Sequence, residues 1–277
     1  MKIYVSLAAV AASLVIACSS STANAGAVLD GVLATKTLRV AVGTDWGTIS
    51  FLNDKHELDG SDVDVAKAIA QKLGVKVQFV TPAWDIITSG KWEGRWDVAM
   101  GEMVPTKARA EKLSFPALYA YGAAVAVVHK DSKAAKLSDL EGKIVGVTAS
   151  SSNENYANHT LTPDWEGAKP IEYKFTPGEV KTYGTDSVAL DDLRLGDGVR
   201  LHAVLTDRSV VQSAIKAGYP LKELSEPLFF TTSAIVILPG DKEFSDKIAA
   251  TIKKMRDDGT LSKIMIKWYS VDRSIAQ

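Results

Sequence analysis

Hydrophobic residues along this chain alternate between a period of two and a period near 3.6. Residues 38–42 (LRVAV) read as a strand, and Gly43-Thr44-Asp45-Trp46-Gly47 as the loop at its carboxyl end. Residues 51–60 suit a hairpin, with Asn53 and Asp54 as turn residues. From Ser61 the spacing turns helical: Val65, Ile69 and Leu73 recur every four residues, Ala66 and Ala70 widen the stripe, Ser61 can cap and Gly74 can stop it. Residues 75–80 (VKVQFV) predict a second strand, 84–92 a weaker helix and 96–100 a third strand. Strand, helix, strand, helix, strand with short loops predicts a parallel, doubly wound sheet. The same grammar returns further along. An apolar run covers 123–128, and strands are expected at 144–147, 171–175, 203–206 and 234–238. Helices are expected at 186–195 and as two amphipathic segments, one carrying Phe244, Ile248, Ile252 and Met255, the other Leu261, Ile264, Met265 and Trp268.

The stretch WDVAMGEMVPTKAR, residues 96–109, carries the first candidate chemistry. Its strand is expected to stop at Gly101, with Pro105 ending the turn and Thr106 capping a short helix. Arg109 then falls about one turn from the strand's carboxyl end. Ligands of open α/β sheets bind in the crevice outside those ends. A guanidinium there is a rigid fork that can hold a carboxylate in two parallel bonds; the alternative is an ordinary surface arginine. Thr148 to Asn153, with Ser150, Ser151 and Ser152, offers N–H groups and hydroxyls to an anion, or is simply a serine-rich helix cap. Asp207 closes the strand at 203–206, either facing a ligand or capping the helix that starts near Ser209.

Composition bounds the possibilities. The chain has 277 residues and a formal net charge of −1, which points to neither a nucleic-acid nor an anionic-membrane partner. A lone Lys2, an apolar run from Ile3 to Ala17 and Ala23-Asn24-Ala25 before Gly26 read as a secretory signal peptide cleaved after Ala25. The alternative is a lipoprotein anchored through Cys18, which stands in LVIAC. As Cys18 is the single cysteine, an intramolecular disulfide and a cysteine-built zinc site are excluded. The four histidines show no metal-ligand spacing, and no nucleophile elbow, P-loop or dinucleotide fingerprint occurs.

With these residues laid out, the chain resembles the periplasmic amino-acid-binding proteins of polar amino-acid ABC transporters, solute-binding protein family 3. LRVAVGTD, GSDVDVAKAIAQKLGVKVQFV, GRWDVAMGEMVPTKARAEKLSF, LSDLEGKIVGV, LDDLRLGDGVRLHAVLTD and IKKMRDDGTLSKIMIKWY follow one another in the family's order. The resemblance implies an α/β, periplasmic-binding-protein type II-like fold: two doubly wound α/β lobes joined by two crossing strands, near 120–128 and 230–238. It divides the chain into a signal peptide (1–25), lobe 1 (26–124 and 231–277) and lobe 2 (125–230). It further implies a non-enzymatic monomer in the periplasm, without metal or cofactor, that passes an amino-acid ligand to a membrane permease.

Carried over by position, Arg109 would clamp the ligand α-carboxylate, assisted by Ser150, Ser151 and Ser152. Asp207 would hold the α-ammonium, Asp45 would meet the side chain with Trp46 nearby, and Trp84 would pack on it. Gly101 and Glu102 would lie beside the ligand. There are departures: Ser61 follows Gly60 in place of Phe, Thr48 replaces an aromatic, Val104 replaces a hydroxyl residue, residues 176–200 run long, and Glu102 stands where Gly or Ser is usual. Glu102 suggests an alternative, a cyclohexadienyl dehydratase-type enzyme with Glu102 as general acid and Arg109 on a substrate carboxylate. For a binding protein, one guanidinium against Asp45, Glu102 and Asp207 predicts a cationic amino acid (arginine, ornithine or lysine); a solvent-facing Glu102 would instead favour glutamine.

Overall fold

A computed structural model describes residues 26–276, so the predicted signal peptide and Cys18 lie outside the described residues. Helix α1 (Ala27–Thr35) leads into β1 (Thr37–Ala41), followed by the hairpin of β2 (Phe51–Leu52) and β3 (Leu58–Asp59). Then come α2 (Ser61–Leu73), β4 (Lys76–Val80), α3 (Trp84–Thr88), β5 (Val98–Met103), α4 (Lys107–Ala110) and the long β6 (Ser114–His129). The middle of the chain holds β7 (Ile144–Thr148), α5 (Ser152–Ala157), β8 (Glu179–Tyr183), α6 (Asp186–Leu193), β9 (Ala203–Asp207) and α7 (Arg208–Lys216). β10 (Leu221–Glu223), β11 (Phe229–Ile237), α8 (Lys242–Asp257) and α9 (Thr260–Tyr269) complete it.

The strands join in the order β4-β1-β5-β11-β6-β9-β7-β8, with β10 added to β6. β1 is parallel to β4 and β5, and β7 is parallel to β8 and β9, so each half is a parallel sheet of the kind the alternating pattern predicts. Two antiparallel strands, β6 and β11, link the halves. β11 pairs with β5 through Ala234 and Val236, while β6 pairs with β9 through Ala124 to Val128. α8 and α9 return to the first half: Phe244, Ile248, Ile252, Leu261 and Met265 pack with Val40, Val65, Ile69 and Met100. In the second half β6 is buried on both faces. Ala124, Ala126 and Val128 pack with Val145, Tyr156 and Phe229, whereas Val125 and Val127 pack with Leu190, Leu193 and Val211. Two-sided burial explains why this strand reads as an uninterrupted apolar run.

Several elements differ from the sequence expectation. The helix at Trp84 is only one turn longer than a cap and ends at Thr88. Ser61 lies inside α2 and does not cap it; Gly60 occupies the N-cap with φ 131, and a Cβ there would sit 2.5 Å from the Ile49 carbonyl oxygen. β5 does not stop at Gly101 but continues to Met103 through a bulge, where Ala99 pairs with Val236 and Met103 with Ala234. Residues 171–175 form no strand, although their alternation is real. Ile171, Tyr173 and Phe175 pack inward while Tyr156 Oη holds the backbone, donating to Glu172 O and accepting from Lys174 N. The strand of this region is the polar edge strand β8 instead, and α1 was not anticipated. Among the described residues no helix is long and apolar enough to cross a membrane.

Candidate functional site

The carboxyl ends of both parallel sheets face one cleft. Trp46, Trp84, Gly101, Glu102, Arg109, Ser151, Ser152 and Asp207 line it together. Asp45 and Ser150 are not part of that lining: the Asp45 carbonyl accepts from Ser187 Oγ at 2.9 Å, and the Ser150 carbonyl accepts from Arg109 and Trp84. Asn153, at the end of the expected Thr148–Asn153 stretch, also faces the cleft, as do Thr185, Asp186, Val210 and Thr231, which sequence reasoning missed. Asp186 was hidden by its position as the first residue of a plain helix.

Thr106 caps α4 by accepting from the Arg109 N–H at 3.3 Å, and this short helix directs the Arg109 side chain into the cleft. Its Nη1 donates to Val104 O at 2.7 Å and its Nη2 to Ser150 O, across the cleft, at 2.9 Å. The guanidinium carbon lies 5.6 Å from the Trp84 ring centroid, and Trp84 meets Trp46 edge-on at 5.4 Å. Arg109 is 7% exposed and, among the described residues, forms no ion pair. Burial alone pushes its pKa down to about 10, as for a cation without an anion beside it.

The opposite wall carries acids at helix starts. Asp207 caps α7, accepting from Ser209 N at 2.8 Å and Ser209 Oγ at 2.7 Å. Asp186 opens α6, whose cap is Thr185, and accepts from Thr148 Oγ1 at 2.5 Å. Burial raises the Asp186 pKa, with the charges of Asp207 and Asp45 adding to the effect. The Ser151 hydroxyl caps α5 by accepting from Glu154 N at 3.0 Å, and Ser150 N donates to Glu154 at 2.6 Å. That turn therefore serves both as a helix cap and as cleft wall.

Glu102 is not the unpaired carboxylate that the sequence suggested. Its Oε2 accepts from Arg273 Nη2 at 2.8 Å and its Oε1 from Tyr269 Oη at 3.1 Å. Burial still raises its carboxyl to about 7, against the lowering effect of Arg273. Its N–H donates to Tyr119 Oη, which in turn donates to Oδ1 of the fully buried Asp62 at 2.7 Å. The count of one guanidinium against Asp45, Glu102 and Asp207 is therefore corrected: Arg273 cancels Glu102, Asp45 leaves the lining and Asp186 enters it. Both carboxylate oxygens of Glu102 are engaged by Arg273 and Tyr269, so neither is presented free to a bound molecule.

Across the cleft, Lys107 N donates to Thr162 O and Asp164 N to Pro105 O, so the two halves touch beyond the site. The fold and cleft are those of a two-lobed α/β protein built to enclose a small molecule between its lobes. The chain belongs to the bacterial extracellular solute-binding proteins, family 3, matched over residues 38–271. The family and the named curated relatives are binding proteins. The chain is 27% identical to a probable amino-acid ABC transporter-binding protein of Haemophilus influenzae, covering 91% of this chain and 92% of the relative. An ancestral arginine-binding protein, solved with arginine and also with glutamine, is 31% identical with a TM-score of 0.72, over 84% of this chain and 98% of that one. An ancestral amino acid-binding protein described as a precursor of cyclohexadienyl dehydratase is 28% identical with a TM-score of 0.74, over 87% and 99%.

Proposed function

We propose that this protein captures an amino acid with a cationic side chain outside the cytoplasm and delivers it, as a monomer, to the permease of an ABC transporter. The observation that carries this is the polarity of the cleft. Among the described residues Arg109 is a buried cation bonded only to carbonyls, and it faces Asp207 and Asp186 on the other wall. A buried charge is costly unless it is paired. An α-carboxylate would supply the anion that Arg109 lacks, bonded two-fold by the fork. Asp207 would take the α-ammonium. Asp186, hydrogen-bonded by Thr148 without a base beside it, would face the side-chain cation, with Trp46 and Trp84 covering the alkyl stem or stacking on a guanidinium. By formal charge, Arg109 and Arg273 against Glu102, Asp186 and Asp207 leave the cleft acidic, less so where burial keeps Glu102 and Asp186 protonated, and a cationic side chain fits that excess. The similar ancestral protein is named for arginine binding, which supports the same class, and its structure with glutamine gives the neutral alternative.

Calorimetric titration with arginine tests this reading. Saturable one-to-one binding, lost in Arg109→Ala, is expected; no heat with arginine, lysine or ornithine at millimolar concentration would refute it. Export is proposed to end with cleavage after Ala25 into the periplasm. In support, α1 begins two residues later, and its first N–H groups, of Val28 and Leu29, are tied to Asp241 Oδ2 at 2.8 and 3.2 Å. The intact mass of the exported protein reads the cleavage directly: a start at Gly26 is expected, and a lipid-modified Cys18 would show the anchored form instead.

A further inference from the structure

Arg273 lies four residues beyond α9 and outside the segment matched by the family, yet it reaches the centre of the molecule. Its backbone oxygen accepts from Tyr121 N at 2.8 Å and its Nε donates to Tyr121 O at 2.6 Å, so the residue is clipped onto β6 from both ends. The guanidinium carbon sits 4.3 Å from the Tyr269 ring centroid. Its Nη2 lies 2.8 Å from Glu102 Oε2 and 3.8 Å from Asp207 Oδ2. Gly122 makes the notch it occupies, because a Cβ there would collide with Nη2. The side chain is buried, but it stands behind Glu102 and Asp207 and does not line the cleft.

Resting on the amino-acid reading above, we propose that Arg273 is a positioning residue that sets the ligand's charge class. It pairs with the Glu102 carboxylate from behind the cleft wall, so the ligand meets Asp207 and Asp186 and not three unpaired carboxylates. The backbone of Glu102 fits this role. Its φ of 47 is uncommon for a residue with a Cβ, and it falls in the β5 bulge. Such a conformation persists when surrounding groups over-determine it. Here the two oxygens are fixed by Tyr269 and Arg273, and the N–H by Tyr119. The charged and titratable groups facing Glu102 are Arg273, Tyr269 of α9, Asp207 at the end of β9, Asp62 of α2 and Tyr119 of β6. Arg273 is the cation among them. Asp207 holds its α7 cap with one oxygen and presents the other toward Arg273, so the tail also tunes the group proposed for the ligand ammonium.

The test compares arginine with glutamine, a cationic and a neutral ligand of similar length, on the full-length mature protein and four variants. One unit charge at this range changes the arginine-to-glutamine affinity ratio roughly tenfold. At pH 9, where the Glu102 carboxyl left without its counter-ion can ionise, Arg273→Met is expected to raise the ratio by about that factor, and Glu102→Gln to lower it, because Arg273 is then unbalanced. The double variant E102Q/R273M should return it to the parent value, and Arg273→Lys, which keeps the charge, should stay near it. A merely structural role moves both ligands by the same factor in every variant, and that result overturns the proposal. Should R273M fail to fold, the opposite shift in E102Q and the restoration in the double variant still decide. Thermal melts without ligand from pH 5 to 9 give an independent reading. R273M should lose stability with rising pH more steeply than the parent, since its buried Glu102 must ionise without a counter-ion, and E102Q/R273M should not. Equal slopes overturn the hold of Arg273 on Glu102. A parent that binds neither amino acid refutes the amino-acid reading, and the melts then decide the Arg273 proposal by themselves.

Discussion

The two walls of the cleft reach the same place by opposite electrostatics. On the second-lobe wall, Asp186 and Asp207 stand at the starts of α6 and α7, where free N–H groups and the helix dipole favour negative charge. On the first-lobe wall, Arg109 stands in the single turn of α4, which is too short to supply a helix dipole of its own. It is held there by the carbonyls of Val104 and Ser150 and by the Trp84 ring. Packing on that wall is tight: a Cβ on Gly101 would lie 2.6 Å from Trp46 and 2.9 Å from Trp84. Asp207 is thus held by the helix it caps, whereas Arg109 has only carbonyls beside it among the described residues and depends on what binds opposite it. Ligand binding should therefore be far more sensitive to Arg109 than folding is.

Removing Arg109 should have the largest effect. Truncating one partner of a buried, hydrogen-bonded charge pair costs about 2–5 kcal/mol, so Arg109→Ala should weaken arginine binding by roughly 30- to several-thousand-fold. Titration calorimetry on a variant shown by circular dichroism to be folded checks it. Arg109→Lys should also fail badly, since a lysine cannot reproduce the fork; near-parental affinity in that variant would break the contrast between the walls. On the acidic wall a smaller and selective effect is expected. Asp186→Asn keeps the acceptor for Thr148, so glutamine affinity should change little while arginine affinity falls by about 10- to 100-fold, in line with about 1.4 kcal/mol per decade for loss of one charge partner.

The last of these effects concerns stability, not affinity, and lies behind the first wall. Burial, with the nearby Glu102 charge, pushes the Asp62 carboxyl up to about 8, and burial pushes Glu102 up to about 7. A raised carboxylate pKa means that the folded state keeps its proton longer than the unfolded one. The resulting stability is fully present below about pH 4 and is lost as pH rises through 7 and 8. The parent's melting temperature should accordingly fall between pH 5 and pH 9. Asp62→Asn should flatten that fall and be more stable than the parent at pH 9 by about 1–3 kcal/mol, the usual cost of a buried group left unsatisfied. An Asp62→Asn variant with the parent's slope would place the titration elsewhere.

The regular parts of the fold were readable because each has a periodicity with one meaning. The 3.6-residue stripe of Val65, Ile69 and Leu73 gave α2, and VKVQFV gave β4. The alternation of Ile171, Tyr173 and Phe175 was equally clear yet misled, since burial of alternate side chains does not require a ladder partner. In the site, Arg109, Trp84 and Asp207 were legible from their places at strand ends and through the family resemblance. Asp186 was not, because an acid at a helix start is ordinary. Arg273 could not be read either. Its contact with Glu102 spans 171 positions and depends on the bulge in β5 and the notch at Gly122, neither of which has a local signature.

On the proposed function, the cleft takes an amino acid whose side chain is cationic. A thermal-shift screen of the twenty amino acids and ornithine on the parent protein tests it most directly. Ligand at 100 times its dissociation constant adds about 2.7 kcal/mol, or several degrees for a chain of this size. Arginine, lysine or ornithine should give the largest shift, glutamine a smaller one, and glutamate and aspartate none. A clear shift with glutamate and none with any cationic amino acid would contradict the account.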